Sequence, residues 1–344
     1  MRIKLFFVKI FNWEYWPFHV VYFPLFFYWL WLSLKARSFF YFSAANPSIE
    51  TGGMSGESKF EILKSIPEKF IPSTIFVRAG TDFIWLKEEI KRKSISYPLI
   101  VKPDIGERGN LVEKIKNETT LKEYWKKIKV NFLIQEFINF EVELGVFYYR
   151  HPDWENGIVS SVVKKDYLKV TGDGRSTIFE LMTRYPRAAF QIKRLSSGNK
   201  AFMDYIPKAD ESIELEPIGN HCRGTTFLNG NDLIDERLTE VFDGISKKIE
   251  GFYYGRYDLK CRSIEDLKRG ENIKIVELNG VGAEPAHIYH PGYSIIEGYK
   301  ALFSHWKHMY EISRKNKERG HSYMTLKEGW QRWKWIRKYN RMHR

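Results

Sequence analysis

The sequence predicts an α+β fold with antiparallel sheets, and three observations predict it. Helix-like and strand-like segments alternate through the middle of the chain, several strands are hairpin-like neighbours, and residues 255–280 read as two strands joined by a charged loop. With 344 residues, 43% of them hydrophobic, the chain can bury a large core in one or two domains. A formal net charge of +13 implies an anionic partner, whether nucleic acid, anionic lipid or a phosphate-rich substrate. Cys222 and Cys261 form neither a disulfide framework nor a zinc spacing, which favours a reduced, cytosolic catalytic face.

Residues 11–42, FNWEYWPFHVVYFPLFFYWLWLSLKARSFFYF, carry no formal charge from Phe18 to Leu34, with Trp13, Trp16, Trp29 and Trp31 suited to a membrane interface. Pro17 and Pro24 interrupt any helix, and basic residues flank both sides. A cleaved signal peptide would carry the chain outside the cell, which the motifs below argue against. Membrane embedding, as one span or a kinked interfacial element, is preferred over burial in the soluble core. Residues 43–59 are small, polar and glycine-containing, a linker or an ordered loop.

From Phe60 the pattern is that of a soluble α/β chain. Residues 83–93 and 119–130 read as helices, and 96–104 and 131–138 as strands. The stretches EVELGVFYYR and GIVSSVVKKDYLKV are further strands, and 235–251 is an amphipathic helix. After the charged strand pair, 293–315 forms a closing helix. The terminal stretch LKEGWQRWKWIRKYNRMHR sets seven Lys/Arg against one Glu, interleaved with Trp330, Trp333, Trp335 and Tyr339. It suits an anionic membrane surface or a helix docked on its own domain. Nucleic acid is disfavoured, because no reading motif accompanies the charge.

Three clusters carry chemistry. In GRYDLK and IKIVELN, strand alternation puts Arg256 and Asp258 on one face and Glu277 and Asn279 on another, and pairing the strands merges the two. Three oxygen-bearing side chains suit Mg²⁺, and the arginine suits a phosphoryl group in transfer. A surface salt-bridge ladder is the alternative. In YPLIVKPDIGERGN, Lys102 ends an apolar strand, and Gly106 and Gly109 follow in a loop whose N–H groups could face phosphate. An ordinary turn is the alternative. In IQEFINFEVELGV, Glu136, Phe137 and Ile138 form a hinge that could offer backbone to a purine edge, and Glu143 could accept from ribose hydroxyls. For either glutamate in isolation, an exposed strand end is the alternative.

In their order, these clusters resemble the ATP-grasp superfamily: strand lysine, glycine loop, hinge glutamate, ribose glutamate, Arg-x-Asp, then Glu-x-Asn. Glu136 and Glu143 keep the hinge-to-ribose spacing of D-alanine–D-alanine ligases. VTGDGRSTIFEL resembles the Gly-Asp-Gly element of cyanophycin synthetase and related amino-acid ligases, and EPIGNHCRGTTF their Asn-containing segment. The resemblance covers roughly residues 60–290.

It implies an ATP-grasp fold, with two α+β lobes clamping ATP. Lys102 would meet phosphate, residues 136–138 adenine, and Glu143 ribose. Asp258, Glu277 and Asn279 would hold two Mg²⁺, or Mn²⁺ in its place, with Arg256 stabilising the transferred phosphoryl group. The activity implied is joining a carboxylate to an amine through an acyl phosphate. Asn220 and Arg223 are candidate substrate contacts, with backbone capping as the alternative. Cys222 reads as a packing residue, His287 and His290 as lining the acceptor side, and one of Lys164 and Lys165 as reaching phosphate.

The implied organisation is a membrane-associated aromatic segment (1–42), a linker (43–59), an ATP-grasp domain (60–315) and a basic, aromatic tail (316–344). The substrate domain that usually precedes the lobes is missing or replaced. This suggests a lipid or lipid-linked amine or acid as substrate, with the catalytic domain on the cytoplasmic side of a membrane. A phosphotransferase and a non-catalytic nucleotide-binding membrane module are the other readings. The module is disfavoured because Arg256, Asp258, Glu277 and Asn279 are all present.

Overall fold

The computed structural model describes residues 2–106, 109–197 and 199–342. It is α+β, with two antiparallel sheets and a small hairpin. The first sheet has the order β1-β4-β2-β3, from β1 (Thr74–Val77), β2 (Leu99–Pro103), β3 (Glu113–Ile115) and β4 (Phe132–Glu136). Helices Phe83–Arg92 and Glu118–Lys127 cover it, burying Leu86, Ile90, Leu121 and Tyr124 against Val101 and Ile134. Both start on a side-chain cap. Asp82 accepts from the Ile84 and Trp85 amides, and Asn117 forms a capping box with Thr120.

The second sheet has the order β11-β10-β5-β6-β9, from β5 (Val142–Tyr149), β6 (Ile158–Asp166), β9 (Thr226–Asn229), β10 (Tyr254–Cys261) and β11 (Ile273–Asn279). Side chains alternate along β5, so its two faces differ. Leu144, Val146 and Tyr148 pack with Leu238, Phe242 and Ile245 of helix Glu236–Ser246. The other face begins polar, at Glu143 and Gly145, and ends apolar, at Phe147 and Tyr149. Between β6 and β9, the hairpin of β7 (Lys169–Thr171) and β8 (Ser212–Glu214) and helix Ile178–Arg184 close over Val170, Leu181 and Met182. The Gly-Asp-Gly element is the turn into this unit. Asp173 accepts from the Arg175 and Ser176 amides, and Gly174 has φ +73°.

The N-terminal aromatic segment differs from the spanning reading. Among the described residues, no helix is long and apolar enough to cross a membrane. Helix Phe18–Ala36 contains Pro24, and its tyrosines and tryptophans are amphipathic rather than simply apolar. One side of it docks on the chain itself. Leu25 packs with Ile288 and Leu302, and Leu32 and Ala36 join Phe147, Tyr149, Tyr254, Met309 and Tyr310. The last three belong to β10 and to the long helix Ile295–Glu318, so the segment helps cover the apolar end of the site-bearing face. Asn46 continues the anchorage, donating to the Gly52 and Tyr254 carbonyls and accepting from the Tyr253 and Tyr254 amides. The terminal helix Leu326–Met342 docks through Arg332, 2.6 Å from Glu50, with Trp330, Trp333 and Trp335 exposed.

Candidate functional site

β10 pairs with β11 so that Arg256 faces Asn279 and Asp258 faces Glu277, and with β5 so that Asp258 faces Gly145 and Lys260 faces Glu143. The polar residues of three strands therefore share one surface. Asp258 is its centre and is only 4% exposed. Its Oδ2 accepts from Arg256 Nη2 at 3.0 Å and Asn279 Nδ2 at 2.9 Å. Lys165 Nζ lies 3.0 Å from Asp258 Oδ1 and 3.0 Å from Glu143 Oε1. Burial alone would raise the Asp258 carboxyl, but the Arg256 and Lys165 charges outweigh it and hold it at about 2. Burial would likewise depress Lys165, and the Asp258 and Glu143 carboxylates raise it instead. Arg256 Nε is buried without an acceptor. Glu277 is partly exposed, 3.6 Å from Lys59. Two carboxylates and an amide oxygen make a donor set that fits a hard cation such as Mg²⁺.

Lys102 enters this surface from the other sheet. It is 7% exposed and donates to Gln135 Oε1 at 3.1 Å and to the Val276 carbonyl at 2.8 Å, tying β2 to β11. Burial, reinforced by the Lys59 charge and partly opposed by Glu277, lowers it to about 8. The following loop is held by Asp104, which accepts from Ser58 Oγ at 2.9 Å and the Phe60 amide at 3.0 Å, and by Lys59, which donates to the Gly106 carbonyl. Gly109, at φ +69°, lies against the side chains of Arg223 and Asn220. Glu107 and Arg108 of the quoted loop motif lie outside the described residues.

The hinge residues separate. The Glu136 carboxylate accepts from the Ser73 amide at 3.2 Å, while Phe137 lies under Lys114 (3.7 Å to the ring centre) and Lys260 (5.6 Å), and Ile138 is buried. Glu143 joins the charge cluster through Lys165 and a hydrogen bond from Tyr167. Asn220 accepts from the Cys222 amide, and Arg223 meets Glu216 and the Val112 carbonyl, both at 3.3 Å. Gly219 packs onto Glu143 so closely that a Cβ would lie 2.1 Å from its Oε1. The 216–225 segment thus lies across the cluster. Cys222 is exposed, contrary to the packing role read for it, because the 3₁₀ turn His221–Arg223 projects it outward. Of the adjacent lysines, Lys165 faces the cluster, and Lys164 pairs with Asp232 at 2.9 Å. His287 bonds to Ser161 at 2.7 Å, and His290 accepts from the Asn229 amide at 3.1 Å, so both brace the chain after β11.

Several residues of the surface escaped the sequence reading. Lys59 and Tyr167 lie outside the motifs. Glu284 follows β11, its carbonyl accepting from Arg256 at 3.2 Å and its carboxyl from Tyr289 at 2.8 Å. Burial pushes that carboxyl up to about 7, opposed by the Tyr289 bond. Glu14 is buried between Arg187 and His221, and burial's upward push on it is overcome by those two partners. A lone carboxylate inside a long aromatic run was a signal that could have marked Glu14 as paired.

Family models give no match to the chain. Comparison with curated proteins gives none either. Among solved structures, the chain is similar to the VanG D-Ala:D-Ser ligase of Enterococcus faecalis, with a TM-score of 0.43 and 16% identity over 77% of this chain and 62% of that one. It is similar to the D-alanine–D-alanine ligase of Bacillus anthracis, with a TM-score of 0.42 and 13% identity over 76% and 68%. The bifunctional glutathione synthetase of Pasteurella multocida gives a TM-score of 0.37 and 15% identity over 72% and 36%. At these values the likenesses assign no reaction, and the chain spans less than two thirds of the first structure's length.

Proposed function

We propose that the chain is an ATP-dependent ligase of ATP-grasp type that joins a carboxylate to an amine. The observation that carries this reading is the shared surface of Arg256, Asp258, Glu277 and Asn279, with Lys102 and Lys165 converging on it. A structural salt-bridge ladder needs neither two buried lysines beside Arg256 around one buried carboxylate, Asp258, nor an arginine Nε left without an acceptor. In the reaction, a substrate carboxylate oxygen attacks the γ-phosphorus of ATP, and the bond to the β,γ-bridging oxygen breaks, releasing ADP. The amine then attacks the acyl carbon of the acyl phosphate, inorganic phosphate leaves, and the nitrogen gives up one proton.

Asp258, Glu277 and Asn279 would hold Mg²⁺, which when bound neutralises charge on the transferring phosphoryl group. Lys102 and Lys165 would meet phosphate oxygens, and the Phe137–Ile138 backbone the adenine. Arg256, free at Nε, would steady charge that develops on the acyl centre. Asn220 and Arg223, against Gly109, would contact the carboxylate substrate. The test is ADP and phosphate release on addition of pooled carboxylates and amines, with the condensed product read by mass. Asp258→Asn and Glu277→Gln should each lower turnover at least about a hundredfold. Unchanged turnover in both variants sinks the proposal.

The ligase would work against an anionic membrane. Exposed Phe23, Phe27, Trp31 and Leu34 on the Phe18–Ala36 helix, with Lys35 and Arg37 beside them, support this placement, as do exposed Trp330 and Trp333 amid basic residues. A lipid-linked carboxylate or amine would suit that position. Failure of the protein to float with phosphatidylserine vesicles at low salt rules it out.

A further inference from the structure

We propose a second metal site, separate from the Asp258 cluster, formed by His151, His308 and Glu311 and suited to Zn²⁺. His151 lies just beyond the end of β5 opposite to Glu143, and His308 and Glu311 are three residues apart on helix Ile295–Glu318, so they project from one side of it. His151 Nε2 is 3.0 Å from His308 Nδ1, and each nitrogen is 3.9 Å from Glu311 Oε2. A contact of 3.9 Å is too long for a hydrogen bond. A triangle with sides 3.0, 3.9 and 3.9 Å has a point in its own plane about 2.1 Å from every corner, the zinc–imidazole and zinc–carboxylate bond length, and drawing the carboxylate in by about half an ångström would give tetrahedral spacing. Among the described residues, no other group of three His, Cys, Asp or Glu side chains converges this closely.

The rings are held before any ion arrives. His308 stacks on Tyr149 at 4.3 Å with Nε2 3.2 Å from its hydroxyl, and its Nδ1 shares a hydrogen bond with His151 Nε2 that a shared ion would replace. His151 stacks on Trp154 at 4.1 Å. Lys307 approaches the other Glu311 oxygen at 3.9 Å, and Asp153 is engaged by Lys315 and Arg319. His308 and Glu311 are partly exposed, which leaves room for a water as fourth ligand. Two imidazoles and a carboxylate select a borderline d-block ion over Mg²⁺. Bound there, the ion would clamp the long helix to the end of β5.

The test uses the full chain, stripped with chelator and titrated with zinc by calorimetry in saturating Mg²⁺. One zinc per chain and a raised melting temperature are expected. His308→Ala and Glu311→Gln should each weaken binding by roughly tenfold or more, with circular dichroism unchanged. Asp258→Asn should keep one zinc per chain. Cobalt substitution should give visible d–d bands without a thiolate charge-transfer band. The proposal is overturned by absence of zinc uptake, by uptake that survives the His151→Ala/His308→Ala double variant, by loss of uptake in Asp258→Asn, or by a thiolate band.

Discussion

Lys102 is a cation buried where a polyanion is proposed to bind, and its chemistry sets a pH dependence. Desolvation lowers it from 10.5 to about 8, because a buried ammonium lacks the water that would stabilise its charge. The unfolded chain keeps this proton up to 10.5 while the folded chain gives it up from about 8, so this group's contribution to stability improves as pH rises between the two. ATP binding should show the opposite trend. Phosphate oxygens favour the charged amine, so binding takes up a proton above about 8. ATP affinity should be flat below that value and then fall by up to about tenfold per pH unit. Lys102→Gln should bind more weakly and lose the alkaline fall. Nucleotide titrations from pH 6.5 to 9.5 check this, and a wild-type profile flat throughout would remove Lys102 from the phosphate site.

At the scale of the elements, a central strand makes room for the charge cluster by carrying a glycine. A Cβ on Gly145 would lie 2.7 Å from Val163 Cγ1 and 3.2 Å from both Arg256 Cδ and Asp258 Oδ1. Gly145→Ala should therefore cost about 1–3 kcal/mol in stability through overpacking, with turnover reduced further by displacement of Arg256 and Asp258. A urea melt beside a phosphate-release assay checks it, and unchanged turnover would show that the pair tolerates the shift. The same strand geometry explains what the sequence allowed to be read. Alternation along GRYDLK and VELN set which residues share a face of β10 and of β11, the register that brings them together came from the fold, and the helices near 83–93, 119–130, 235–251 and 293–315 formed with their boundaries shifted by a few residues. Choosing between Lys164 and Lys165 was beyond such reading, since a one-residue change of register exchanges the faces and the β5–β6 pairing contains a register shift at Phe147/Tyr148. Lys59 approaches Glu277, and Glu14 approaches Arg187, across sequence separations that no local pattern reports.

For the whole molecule, the question is what the N-terminal helix does with its two sides. Composition alone could not divide them, because phenylalanine and tryptophan serve a core and a lipid interface equally well. Leu25 is fully buried against Ile288 and Leu302, whereas Phe23 is 64% exposed and Phe27 57%. These positions separate folding from membrane binding. Leu25→Ala should destabilise the chain by about 2–5 kcal/mol, as a cavity in a packed core does, and leave vesicle affinity per folded molecule unchanged. Phe23→Ser with Phe27→Ser should alter stability by less than about 1 kcal/mol, since neither ring is deeply buried. That pair should instead weaken binding to phosphatidylserine vesicles severalfold, and residual binding should fall with added salt because Lys35 and Arg37 remain. Thermal melts and vesicle flotation on the same samples read both effects. If the phenylalanine pair destabilises the fold as much as Leu25→Ala, the outer side is core against an unseen neighbour. If it leaves flotation intact, the aromatic helix is an anchor of the fold and not of the membrane.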